Sequence, residues 1–190
     1  MKPITDPARV ERYGALLREM MLTEKGRECE FNPDWVRGHG WGIVPVESGM
    51  RLADDAIPQL VSALKGAGYT ECFAAFNEPG YVQRLPLNVA SEPPSDVATC
   101  HLLSVDEAEF REFNRVLGPF RSVLTTEDRS WAISCNEWYN LFGAKSKLLE
   151  ALLGKPIEEA RREFFDFASL LAQGKPDEPL LQVARRYAAL

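Results

Sequence analysis

Apolar residues recur with helical spacing at both ends of the chain and with strand spacing in much of its middle. After Asp6-Pro7, the residues Tyr13, Leu17 and Met20 lie on one helical face, which predicts an amphipathic helix over residues 7–22. Similar apolar stripes predict five further helices. Asp54 or Asp55 caps the first, Ser104 and Glu107 begin the second, and Gly154 ends the third. Pro156 begins the fourth, and Asp177 caps the fifth.

Shorter apolar runs between these stripes predict strands. They cover Trp41–Val46, Thr70–Phe76, Val97–Leu103 and Trp138–Phe142, with Gly143 as the turn that ends the last run and Tyr81–Leu85 as an edge strand. Residues 120–125 and 130–135 flank a polar turn and predict a β-hairpin. We expect Trp131 and Ile133 of this hairpin to face helices, because they alternate with smaller residues.

These elements predict an α+β fold. We expect one domain with an antiparallel or mixed sheet of about five strands, covered by helices mainly on one face. At Gly154 the pattern changes from mixed elements to helices alone, which separates an α+β core over residues 1–154 from C-terminal helices over residues 155–190. The apolar stripes of these helices are too continuous to remain in water, so we expect the helices to pack on the core as part of the same domain.

Charge is unevenly distributed along the 190 residues, whose formal net charge is −6. Residues 51–110 carry nine acidic and three basic side chains, whereas the rest of the chain is nearly balanced. This acidity argues against a nucleic-acid partner and favours a basic protein partner. There is no apolar run of roughly 18 residues and no apolar stretch after Met1, so the sequence predicts neither a membrane span nor a signal peptide, and hence a cytoplasmic location.

The sequence contains no motif that identifies catalysis, and we expect no metal and no cofactor. Its four scattered cysteines lack Cys-x-x-Cys spacing and are expected to be reduced core residues. Residues 38–42 are rich in glycine, but a strand rather than a helix follows them, so we interpret them as a tight loop that places Trp41 in the core. The remaining candidates for a catalytic site are His39, Cys100 and His101, although adjacent strand residues such as the last two point to opposite faces.

The long proline-rich loop over residues 77–96 lies within the acidic third and is the best candidate for a contact surface. Its expected anchors are Glu78, Tyr81, Glu92 and Asp96, with Trp35 nearby. The sequence therefore favours a non-enzymatic, cytosolic protein-binding domain for a basic partner, of inhibitor or immunity type. The order of elements over residues 104–153 has a general likeness to small bacterial immunity domains, without a diagnostic motif.

Two other classes of protein remain open. A small enzyme would place a Cys/His or carboxylate site around His39 or His101, in a deep pocket beside a cysteine or an acid. A structural or assembly subunit would present an apolar patch on the helices of residues 157–190.

Overall fold

The computed structural model describes residues 1–22, 29–48, 51–76, 100–116, 121–176 and 178–188. Within these residues there are seven strands: β1 (Lys2–Pro3), β2 (Gly42–Glu47), β3 (Glu71–Phe76), β4 (Cys100–Ser104), β5 (Ser122–Thr125), β6 (Trp131–Cys135) and β7 (Tyr139–Ala144). The same residues contain seven helices: α1 (Pro7–Met20), α2 (Pro33–His39), α3 (Ile57–Gly66), α4 (Glu107–Val116), α5 (Ser146–Leu153), α6 (Ile157–Ala172) and α7 (Pro179–Tyr187).

The strands form one open sheet in the order β1-β4-β3-β5-β6-β7-β2, and every neighbouring pair is antiparallel. The α+β class is confirmed. The described residues contribute seven strands rather than about five, partly because the two residues of β1 are too few to produce an alternating pattern. β1 and β2 come early in the chain but lie at opposite edges of the sheet, so long-range pairing assembles it.

The predicted hairpin is confirmed. β5 pairs with β6 so that Ser122 lies opposite Cys135 and Thr125 lies opposite Ala132. Trp131 is fully buried and belongs to a hydrophobic cluster that also includes side chains of α3, α4 and α5. It therefore faces helices, as its alternation with smaller residues predicts.

Helices cover both faces of the sheet, so the expectation of helices mainly on one face is wrong. Strand side chains such as Val123 pack with α1, α6 and α7, whereas their neighbours such as Leu124 pack with α3, α4 and α5. Phe164 and Ala168 of α6 belong to the first of these two hydrophobic clusters. Strands buried on both faces appear in a sequence as continuous apolar runs, and residues 72–75 of β3 have this pattern.

Helix α2 covers residues for which the sequence predicts no helix, and it ends inside the glycine-rich segment 38–42. The side-chain oxygen of Asn32 accepts hydrogen bonds from the backbone N–H groups of Asp34 (3.0 Å) and Trp35 (3.4 Å). Pro33 occupies the first turn, and Gly40 ends the helix in the left-handed conformation with φ 64°. Asn-Pro is a helix-start signal, but seven residues are too few for a convincing helical period.

Three helix starts differ in detail from the sequence prediction. Asp106, rather than Ser104, caps α4 by accepting a hydrogen bond from the Glu109 N–H at 2.9 Å. Glu178 caps α7 through the Leu181 N–H at 3.0 Å, while the predicted cap Asp177 lies outside the described residues. Ala56 precedes α3 without a side-chain cap, so neither Asp54 nor Asp55 performs that role.

Several predicted segments lie wholly or partly outside the described residues. They are the edge strand Tyr81–Leu85, the loop over residues 77–96, the start of the strand at Val97 and the residues 117–120 before the hairpin. Among the helices that the structure describes, none has the length and apolar character needed to cross a membrane.

Candidate functional site

The expected loop anchors Glu78, Tyr81, Glu92 and Asp96 all lie outside the described residues, so their role stays a prediction. The fifth candidate, Trp35, lies on α2 and is half-buried in a cluster of rings and charges. Its ring stacks on His39 with centroids 3.9 Å apart, contacts Trp41 edge-on at 4.8 Å, and has the Arg129 guanidinium carbon 5.8 Å from its centroid. The Trp35 ring is therefore already in contact with this protein's own side chains.

Acidic side chains in the described part of the middle third have local partners. Asp54 accepts a hydrogen bond from the Asn114 amide at 3.1 Å and lies 4.0 Å from Arg111. Arg111 is also 3.6 Å from Glu107, and the N-terminal amine pairs with Glu109. These contacts give part of the acid excess of the middle third a structural role.

The histidine candidates are in unrelated environments. His101 is buried on β4, opposite Pro3 of β1 and Ala74 of β3. Burial, together with the positive N-terminal amine, lowers its pKa. His39 is exposed at the end of α2, and its Nδ1 lies 2.7 Å from the Trp35 carbonyl oxygen. Within the described residues, the two histidines therefore do not belong to one site.

The cysteines are poorly placed for nucleophilic chemistry. Cys29, Cys72, Cys100 and Cys135 are all described and buried, and none forms a disulfide. Burial raises the pKa of Cys72 and raises that of Cys135 to about 12. Cys100 belongs to the hydrophobic cluster opposite the face that carries His101, as strand alternation predicts. Across the described ranges, no three His, Cys, Asp or Glu side chains are grouped as metal ligands.

Exposed large apolar side chains are concentrated on and near α6. In the described part of the chain these are Trp138 (62% exposed), Phe165 (43%), Leu170 (76%) and Leu171 (45%). Leu170 and Leu171 follow the half-buried Phe167 by three and four residues, so the three side chains lie on one helical face. We call Phe167, Leu170 and Leu171 the α6 apolar patch.

Tyr139, the residue after Trp138, is connected to this patch by a row of aromatic contacts. Its ring meets Phe164 of α6 with ring centroids 5.9 Å apart, and Phe164 meets Phe167 at the same distance. The turn between β6 and β7 therefore approaches the side of the molecule on which α6 lies.

Acidic and basic groups lie along α6 and beside Trp138. Asp166 precedes Leu170 by one helical turn, and Glu159 is exposed on the same helix; neither carboxylate has an ion pair among the described residues. Glu163 precedes Phe167 by one turn and is paired with Lys155 at 2.7 Å. Glu137, beside Trp138, lies 4.0 Å from Arg121. Arg162 on α6 and Lys175 just after this helix are also exposed, so the surface combines exposed apolar groups with charges of both signs.

A second feature is a groove of about 750 Å³ between α2, α3, α5 and the β5–β6 turn. Its lining residues are His39, Trp41, Ala63, Gly66, Ala67, Tyr69, Asp128, Arg129, Ser130, Lys145, Lys147, Leu148 and Ala151. Arg129 pairs with Glu19, whereas Lys145 and Lys147 are exposed and have no ion pair in the described ranges. We call this feature the basic groove.

Hydrogen bonds fix one wall of the basic groove. The Tyr69 hydroxyl donates to Ser130 Oγ at 2.6 Å, and the Ser130 hydroxyl donates to the Asp128 carboxylate at 2.7 Å. Thr126 donates to the same carboxylate at 2.5 Å. Burial alone would raise the pKa of Asp128, but these hydrogen bonds outweigh burial and lower it. Asp128 is therefore held as an anion that orders the turn.

No protein-family model, curated protein or solved structure matches this chain.

The α6 apolar patch and the basic groove differ in how far the sequence indicates them. Leu171 belongs to the apolar stripe of α6, which the sequence predicts to pack on the core. Its spacing gives no sign that its side chain is partly exposed. The groove joins residues from α2, α3, α5 and the β5–β6 turn, so no local motif marks it.

Proposed function

We propose that this chain is a protein-binding domain that contacts its partner through the α6 apolar patch and Trp138, and that the partner is basic. The observation that carries the proposal is the location of exposed apolar groups. All the large hydrophobic side chains that are exposed in the described part of the chain lie on α6 or at Trp138. Apolar groups scattered singly are ordinary on protein surfaces, whereas their concentration favours an interface. An apolar patch on these helices is also what an assembly subunit would present, and the net charge of −6 favours a basic partner over a second copy of this chain.

Trp138 suits the role of an anchor at such an interface. Tryptophan has a large apolar area, and relatively few of its rotatable bonds must be fixed on binding, so it is enriched among the residues that dominate binding energy. The exposed Leu170 would supply further apolar area. Burying these side chains against a partner would remove them from water, at roughly 25 cal/mol for each Å² of apolar surface.

The negative charge of the chain supports a partner of positive charge. Asp166 and Glu159 have no ion pair in the described ranges, and the whole chain carries a net charge of −6. An acidic protein attracts a basic partner, and this attraction raises the association rate more than it raises the final affinity. An inhibitor or immunity protein directed against a basic enzyme belongs to this class, and it would abolish its partner's activity on binding.

The enzyme alternative has less support from the described groups. The basic groove brings His39 and Asp128 to one cavity, but the Asp128 carboxylate already accepts hydrogen bonds from Thr126 and Ser130. Neither His101 nor any of the four cysteines lines the groove, and Cys72 lines a different cavity beside Tyr13.

Site-specific photo-crosslinking tests the proposal directly. A benzophenone amino acid would replace Leu170 in one variant and Glu11, which is exposed on α1, in a control variant. Each variant would be irradiated in cells of the source organism, and the crosslinked proteins would be identified by mass spectrometry. We expect a defined basic protein to crosslink at position 170 but not at position 11.

A companion variant establishes specificity. Trp138→Ala should reduce the crosslink at position 170, because it removes the proposed anchor and leaves the crosslinker in place. The same set of proteins at both positions, or a crosslink unaffected by Trp138→Ala, would contradict the proposal.

A further inference from the structure

We infer that the basic groove is a binding site for a small organic anion with a flat apolar body. This site is separate from the surface of α6 and does not depend on the function proposed for that surface. Its volume of about 750 Å³ lies within the range of small-molecule sites, which is roughly 300–1,000 Å³.

The groove's lining determines the shape of the apolar part of the ligand. Ala63, Ala67, Leu148 and Ala151 contribute small or aliphatic side chains, so there is room between α3 and α5. Rings of Trp41, Tyr69 and His39 also line the cavity. Aromatic rings pack favourably against other flat rings, so a planar body uses this surface better than a branched one.

The charge at the border of the groove determines the polar part of the ligand. Lys145 and Lys147 are exposed and unpaired in the described ranges, while Arg129 is partly neutralised by Glu19. The acid Asp128 is engaged by Thr126 and Ser130. Two lysines are therefore available to a carboxylate, sulfonate or phosphate, and a cation would meet repulsion from both.

Gly66 offers a way to fill the groove without disturbing the fold. It belongs to α3 and lines the cavity, and a Cβ added there would meet no atom within 4 Å. A larger side chain at this position would extend into the groove, and it would replace a glycine that is unfavourable within a helix. Gly66→Phe is therefore a blocking variant, and Ala8→Phe, at an exposed position of α1 outside the groove lining, is its control.

The test compares two probes that differ in one charged group, 2-naphthyl phosphate and 2-naphthol. Each would be titrated into protein labelled with ¹⁵N-tryptophan, with the indole signals assigned by single Trp→Phe variants. We expect the Trp41 signal to shift in a saturable way, the Trp138 signal to stay in place, and the phosphate to bind about tenfold more tightly than the alcohol.

The variants test separately how the groove recognises the charged group and the apolar body of the ligand. Lys145→Ala with Lys147→Ala should remove the preference for the phosphate, whereas Lys2→Ala with Lys175→Ala should retain it. Gly66→Phe should weaken both probes by at least tenfold, and Ala8→Phe should weaken neither. The inference is overturned if neither probe saturates, if the phosphate has no advantage in the wild type, or if Gly66→Phe binds both probes as the wild type does.

Discussion

The indole ring of Trp41 lies against the backbone of Gly143. A Cβ added at Gly143 would come within 2.8 Å of Trp41 Cε3 and within 2.8 Å of Ile43 Cδ1. Gly143 is thus a residue inside β7, paired opposite Ile43 and Ala132, rather than the turn that the sequence predicts. Glycine in a strand interior often marks a place where another group approaches the backbone closely, as it does here.

Gly143→Ala should destabilise the protein by about 1–3 kcal/mol, because the added methyl group forces the Trp41 and Ile43 side chains away from their packed positions. Urea denaturation measures the change, and Gly38→Ala is the matched control, since a Cβ at Gly38 meets no atom within 4 Å. In a Trp41→Ala background the cost should shrink. Equal effects of Gly143→Ala and Gly38→Ala would contradict the contact.

Trp131 and Trp138 should respond oppositely to truncation. Trp131 is fully buried among side chains of the second hydrophobic cluster, so Trp131→Ala should cost about 3–5 kcal/mol in the free energy of unfolding. Trp138 is 62% exposed, so Trp138→Ala should change the same quantity by less than about 0.5 kcal/mol. Chemical denaturation measures the free energy of unfolding of both variants. Similar losses would contradict either the burial of Trp131 or the exposure of Trp138.

His101 should make stability depend on pH. Its pKa is lower in the folded protein than in the unfolded chain, because burial and the N-terminal amine disfavour the charged ring. Below the unfolded value of about 6.5, the unfolded chain binds the proton more readily, so stability should fall as the pH decreases towards the folded pKa. His101→Gln should lose less stability than the wild type between pH 7.5 and pH 5.5 in urea titrations. Identical losses of stability in the two proteins would contradict a contribution of His101 to the pH dependence.

The four thiols should be unreactive while the protein is folded. All four are buried, and burial raises the pKa of Cys135 to about 12, so little thiolate is present near neutral pH. Ellman's reagent at pH 8 should label four thiols rapidly in urea and label them slowly without it. Fast labelling of the native protein would contradict the burial, and fewer than four thiols in urea would indicate a disulfide or another modification.

Local patterns predict the elements of this fold better than their arrangement. The stripe through Tyr13, Leu17 and Met20 predicts α1, and the polar turn between Thr125 and Trp131 predicts the hairpin, because both signals lie within one short segment. The edge position of β1 depends instead on pairing between Lys2 and Leu102, about a hundred residues apart. No local pattern contains that pairing.

The candidate surfaces show the same limit more strongly. The sequence identifies acidic anchors by charge and loop composition and adds Trp35 as a residue near them, yet the ring of Trp35 packs on His39 and Trp41. Conversely, Leu171 has the spacing of a core residue but is 45% exposed. Spacing shows which side chains share a face of a helix, whereas exposure depends on which other elements reach that face.

The central claim is that Trp138 and the α6 apolar patch contact a basic protein partner. The most direct measurement is the dissociation constant of the partner identified by crosslinking, for the wild type and for Trp138→Ala combined with Leu170→Ser. We predict a loss of at least about thirtyfold for this variant, as for residues that dominate an interface, and no change for Lys145→Ala with Lys147→Ala. An affinity within twofold of the wild type for the Trp138 and Leu170 variant would contradict the claim.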